Sequence, residues 1–113
     1  MNNLEMFCIC IHNDLLDKVR KLNYVPVGLG NEEFENGWLR DNTGINISNK
    51  NKFYGEYSFH YWFWKNKIKD ISDDTWIGFC AYRRFWHNDI KINESLKFRN
   101  KVLNQIPEIW NKY

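Results

Sequence analysis

The sequence predicts an α/β domain, an open sheet with flanking helices. Met6 to Ile11 (MFCICI) and Trp76 to Tyr82 (WIGFCAY) are short, unbroken apolar runs that read as buried strands. Between them, Leu15 to Leu22 and Phe53 to Lys67 carry apolar residues at helical spacing. Strand and helix signals therefore follow one another along the chain, as layered α/β architectures require. The 113 residues suffice for one domain with one core, burying roughly two-thirds of the unfolded surface.

The first strand, Met6 to Ile11, runs directly into the polar group His12-Asn13-Asp14. Such a group can supply ligand contacts at the carboxyl end of a strand, or Asn13 or Asp14 can cap the next helix. That helix, Leu15 to Leu22, gathers Leu15, Leu16, Val19 and Leu22 on one side. Asn23 to Val27 reads as a second short strand in which Pro26 suits an edge or an end. Gly28-Leu29-Gly30 breaks it without the spacing of a dinucleotide fingerprint or the lysine of a P-loop.

From Arg40 to Asn51 nearly every side chain hydrogen-bonds or forms turns. Asp41-Asn42-Thr43-Gly44 predicts a tight turn with Gly44 at positive φ, and Ser48, Asn49 or Asn51 can cap the next helix. In the helix Phe53 to Lys67, the residues Tyr54, Tyr57, Tyr61, Trp64 and Ile68 define one apolar stripe. Phe59, Trp62 and Phe63 widen it, which predicts burial on more than one side. Glu56 and His60 lie one turn apart and can meet, as an acid/base pair or as a structural contact. Two potential ligands without a third do not make a metal site.

Asp73-Asp74 precede a strand rather than follow one and read as turn residues. At the far end of Trp76 to Tyr82 come Arg83 and Arg84. They form either an anion site, since guanidinium pairs bidentately with phosphate, or a solvated surface pair. A last helix is expected from Asn93 or Ser95, with Leu96, Val102, Leu103 and Ile106 inward. Pro107 stops it, and Pro107 to Tyr113 begins another turn.

Composition narrows the function classes. Sixteen basic against fourteen acidic residues argue against a nucleic acid wrapped along the surface. Aromatics make up 18%, with six Trp, which suits an aromatic core or a site that stacks rings. Cys8, Cys10 and Cys80 lack metal spacing; Cys8 and Cys10 face the same way on a strand, as small hydrophobes in a reducing compartment. The start shows no secretory signal and no stretch is long enough to cross a bilayer. The expectation is a cytoplasmic chain, held to the inner face of a membrane, if at all, by other components.

Several runs resemble a known family. They are Asp41 with Thr43-Gly44, Asn46-Ile47-Ser48, Lys50-Asn51, Glu56, Tyr61-Trp62, Trp64-Lys65-Asn66, Gly78, and Tyr82-Arg83-Arg84. In order and nearly in register they are similar to D-D-T-G-D-N-I-S-x-K-N, Y-W-x-W-K-N and H-Y-R-R. These are motifs of glycosyltransferases from capsule and lipopolysaccharide O-antigen clusters, a family first described as a domain of unknown function. The resemblance implies the amino-terminal part of a GT-A-like, Rossmann-like nucleotide-sugar-binding domain. It also implies transfer of a hexosyl or galactofuranosyl unit from a nucleotide diphosphate, with a UDP-sugar as the expected donor, to a surface glycan. The chain ends about where the family's next strand begins.

Donor contacts are then expected from Asp41, Asn46, Ser48, Asn51, Glu56, Trp64, Lys65, Tyr82, Arg83 and Arg84. The arginines would neutralise the diphosphate directly, without a metal or other cofactor. Ala81 stands where the family carries His, Asn42 where it carries Asp, and no catalytic base is assignable. The alternatives are a non-catalytic nucleotide-sugar or glycan-binding module, a single-strand nucleic-acid binder, and an inactive fragment with apolar surface exposed beside its last strand.

Overall fold

The computed structural model describes residues 3–30, 32–87 and 98–112. Four strands, β1 (Asn3–Cys10), β2 (Val25–Gly28), β3 (Leu39–Arg40) and β4 (Thr75–Ala81), form one parallel sheet in the order β3-β2-β1-β4. β1 lies in the middle, with Cys8 between Pro26 and Cys80. Its residues Met6 to Cys10 are all buried, because both of its faces are covered.

The two faces hold separate cores. Met6, Cys8 and Cys10 point to the side of helix α1 (Leu16–Arg20), where Leu16, Val19 and Leu22 meet them. Phe7 and Ile9 point the other way, onto helix α3 (Tyr57–Asn66) through Phe59, Trp62 and Phe63. This is the strict alternation of a strand sandwiched between two helical layers. Much of the aromatic content is spent here: the Phe7 ring lies 5.1 Å from Phe63 and 5.9 Å from both Phe59 and Phe79. Val102 and Leu103, after the short helix α4 (Phe98–Lys101), close the α1 side. Asn93 and Ser95, expected to open that last helix, and Leu96 of its expected core face lie outside the described residues; the helix ends at Lys101 rather than at Pro107, so Val102 and Leu103 are buried from beyond it. The turn expected after Pro107 is a 3-10 turn over Glu108–Lys112.

Four expectations are corrected. The helix expected over Phe53 to Lys67 is two, α2 (Asn51–Tyr54) and α3, because Gly55 sits at φ 56°, ψ −132°, a conformation that interrupts the helical ladder. The stripe of Tyr54, Tyr57, Tyr61, Trp64 and Ile68 is the solvent side, and Ser58, Phe59, Trp62 and Phe63 are the buried side. Tyrosine hydroxyls need partners when buried whereas phenylalanine rings do not, and the Trp62 indole N–H finds the Thr43 carbonyl at 2.9 Å.

β4 is an edge strand, half-buried along most of its length rather than fully buried. Its free edge is partly capped: the Trp86 indole N–H donates to the Phe79 carbonyl at 2.8 Å, and Ala81 and Arg84 exchange backbone hydrogen bonds. An apolar cavity of about 350 Å³ beside it is lined by Met6, Trp76, Trp86, Leu103 and Trp110.

No side chain caps α1 or α2. Asn13 instead accepts from the Glu35 amide and the Trp38 indole, at 2.9 and 3.0 Å, and so ties down the loop before β3. Pro26 is tolerated in β2 because the two-residue β3 pairs only with Val27 and Gly28, leaving β1 as the one partner at its level.

Candidate functional site

The chain steps from β1 outward to β2 and β3, then returns to add β4 on the other side of β1. The helix after β1 and the helix before β4 cover opposite faces of the sheet, and a crevice opens beyond the carboxyl ends of these two strands. In open parallel sheets this reversal point is where ligands bind. Here it is a cavity of about 310 Å³ lined by, among others, Glu56, His60, Ala81, Arg84 and Trp86.

Each of these side chains is placed by a local feature. Tyr82 to Arg84 follow β4 in a tight turn. The Tyr82 amide donates to the Ile9 carbonyl at 3.0 Å, and the Arg84 amide to the Ala81 carbonyl at 3.0 Å. The turn carries Arg84 to the cavity and lays Arg83 over the Tyr82 ring, 5.1 Å from its centre. Tyr82 itself meets His12 edge-on at 5.9 Å and faces a second, acid-lined crevice with Asp14, Asp17, Glu32 and Glu35. The break at Gly55 starts α3 anew, so Glu56 and His60 stand on its first turn at the cavity. Their side chains share no hydrogen bond; the His60 ring packs edge-on against Phe79 at 4.7 Å.

The polar loop between β3 and α2 is a clasp. Asp41 is fully buried and accepts from the Ser58 hydroxyl at 2.6 Å and the Ser48 hydroxyl at 3.2 Å. Asn51 donates to the Ser58 hydroxyl and to the Gly55 carbonyl, both at 2.9 Å. Asn46 accepts from the Ser48 amide at 3.2 Å and donates to the Gly44 carbonyl at 3.0 Å. Asn66 clamps the loop from α3, accepting from the Ile45 amide at 3.2 Å and donating to the Ile45 carbonyl at 2.8 Å. Gly44 takes the expected positive φ of 57°, and a side chain there would collide with Asn66.

The structure therefore divides the expected donor contacts into three groups. Glu56 and Arg84 share the crevice at the strand reversal, whereas Tyr82 faces the acid-lined crevice and Arg83 lies over the Tyr82 ring. Asp41, Ser48 and Asn51 hold the clasp together, while Asn46 and Ser48 also face a shallow opening of about 650 Å³ beyond β2 and β3. Trp64 and Lys65 lie on the outer side of α3, with the Lys65 ammonium 4.0 Å from the Trp64 ring centre. His60 and Trp86 are cavity residues beyond the expected set. His60 was signalled by its spacing from Glu56, whereas nothing in the local sequence signals Trp86. Among the described residues, no three His, Cys, Asp or Glu side chains converge as a metal would require.

The three cysteines are free and buried. Although contact with Cys10 pulls the other way, hydrogen bonding with Cys80 and burial push the Cys8 thiol up to about 12. Hydrogen bonding to Cys8 and burial also raise Cys10. Both thiols stay protonated and serve as packing.

A four-stranded parallel sheet with helices on both faces and a crevice at its reversal point is an α/β, Rossmann-like domain. A family model described as a domain of unknown function, DUF4422, matches residues 6–112, and the chain belongs to that family. Comparison with curated proteins and with solved structures finds no match.

Proposed function

We propose that this chain binds the donor of a glycosyl transfer, a nucleoside-diphosphate sugar, at the crevice between the ends of β1 and β4. One observation carries the reading: the strand-reversal crevice holds a guanidinium, Arg84, together with the carboxylate of Glu56 and the imidazole of His60. The guanidinium suits a diphosphate, to which it donates two parallel hydrogen bonds. Glu56 accepts from sugar hydroxyls, and the adjacent aromatic Trp86 offers a flat wall. The motif resemblance supplies the reaction class.

In that reaction the bond from the anomeric carbon to the diphosphate oxygen breaks, and the electron pair leaves with the nucleotide. The acceptor hydroxyl oxygen forms the new bond and releases its proton. Arg84 stabilises the charge that gathers on the departing diphosphate, the contribution that counts because it strengthens toward the transition state.

Melting of the full chain with a panel of nucleoside diphosphates and nucleotide sugars, with and without Mn²⁺, tests this. A ligand at a hundred times its Kd stabilises by about 2.7 kcal/mol. The expected result is a shift with one base, independent of Mn²⁺. Arg84→Ala should weaken binding by about 2 kcal/mol, roughly thirtyfold in Kd, and Arg83→Ala by clearly less. No shift with any nucleotide would reject the donor site. Ala81 puts only a methyl group into the cavity where the family pattern has a histidine, and this favours a second reading, donor binding without transfer. A melt shift unaccompanied by hydrolysis or transfer is its signature.

A further inference from the structure

Helix α3 carries aromatic rings on its solvent side as well as on its core side, with Tyr57 and Trp64 exposed and Tyr61 half-buried between them. A helix of this kind is ordinarily covered. Tyr57 is 67% exposed and Trp64 60%, and the preceding α2 adds Phe53 at 74%. The segment from residue 50 to 69 also carries Lys50, Lys52, Lys65, Lys67 and Lys69 against the single acid Glu56. Its net charge of +4 exceeds the +2 of the whole chain, so the rest of the molecule is net −2. Two of these lysines, Lys52 and Lys65, lie against the exposed Phe53 and Trp64 rings themselves.

We propose that this α2–α3 face docks on the surface of an anionic lipid bilayer. Tyr and Trp rings favour the headgroup level of a membrane, where their apolar bodies leave water and their polar tips do not. The lysines fit the same geometry: the ammonium groups of Lys65 and Lys52 sit over the Trp64 and Phe53 rings, 4.0 and 5.0 Å from the ring centres, so cation and ring would reach the headgroups together. The docking is peripheral, since no helix of the described residues is long and apolar enough to span. Charge also selects against a second copy as the occupant. A two-fold contact would set this basic patch against itself. The proposal is independent of the donor site.

Flotation of the full chain with vesicles of phosphatidylcholine alone, and of phosphatidylcholine mixed with phosphatidylglycerol, tests it. Binding to the mixed vesicles, weak binding to the neutral ones and loss with added salt are expected. Tyr57→Ser with Trp64→Ser should lower partitioning at least about tenfold, with melting nearly unchanged because both rings stand in solvent. Lys65→Gln with Lys67→Gln, which leaves every ring in place, should cost about fivefold per lysine. Equal binding to both vesicle types, or no loss in either variant, overturns the proposal. So does a concentration-dependent dimer, or salt-sensitive RNA binding in place of vesicle binding, that the aromatic variant abolishes.

Discussion

Asp41 shows how a residue read as a ligand contact can be spent on architecture. Its carboxylate has no exposure and receives two serine hydroxyls, one from its own loop and one from α3. Asp41→Ala would leave the Ser48 hydroxyl without its acceptor and Ser58 with only the Gly55 carbonyl at 3.1 Å, and would open a polar hole. We expect a loss of about 3 kcal/mol, read as a lower urea midpoint at constant slope. Asp41→Asn should lose less, since one amide oxygen still accepts. The thiols make a second prediction at this scale. Cys8 is raised from 9.0 to about 12 in the fold. Above pH 9 the unfolded chain releases this proton while the folded chain keeps it, so the unfolded state binds fewer protons and stability falls as pH rises. The contribution is intact below pH 9 and is lost between pH 9 and 12. A titration of unfolding free energy across that window checks it, and maleimide at pH 8 should label Cys8 and Cys10 only after denaturation.

At the scale of elements, the break between α2 and α3 decides the geometry of the crevice. Gly55 holds φ 56°, ψ −132°, a region essentially closed to residues with a Cβ, yet a Cβ there would meet nothing within 4 Å. Gly55→Ala therefore isolates backbone strain from collision. It should cost about 1–3 kcal/mol and, by re-aiming Glu56 and His60, weaken whatever ligand the crevice holds. Chemical denaturation beside a binding isotherm separates the two effects. Periodicity misjudged this region for a physical reason. A helix with aromatic rings on more than one side presents more than one plausible stripe, and spacing alone cannot rank them. Tertiary packing ranked them by polarity: Phe59 and Phe63 enter the core, and Tyr54 and Tyr57 keep their hydroxyls in water. The two-residue β3 gave no signal either, because its pairing with Val27 and Gly28 depends on a loop that Asn13 anchors from a distance.

For the whole molecule, the parallel sheet gathers several polar segments at the carboxyl ends of its strands. His12, Arg40, Asp41 and the Tyr82–Arg84 turn all emerge there. The alternation of β1 explains why the layers are so well separated: a one-residue slip would turn Phe7 and Ile9 onto α1 and Met6, Cys8 and Cys10 onto α3. Such a slip would also bring the close approach of Met6 to Gly78 out of register. A Cβ on Gly78 would lie 2.6 Å from the end of Met6. Gly78→Val should accordingly destabilise by about 1–3 kcal/mol through overpacking, measurable as a lowered melting temperature with unchanged helical signal.

The sequence by itself determined the α/β class, the two long strands, the basic pair closing β4 and the turn at Gly44. Each is written in a contiguous run whose period or turn chemistry needs no distant partner. Tertiary structure alone decided that β4 is an edge, which face of α3 is buried, and that Asp41 takes Ser48 and Ser58 while Asn51 holds Ser58. It also decided that Glu56, His60, Arg84 and Trp86 share one crevice. Those outcomes depend on which surfaces meet after the chain reverses direction around β1, and a side chain's neighbours across that reversal leave no trace in its local sequence.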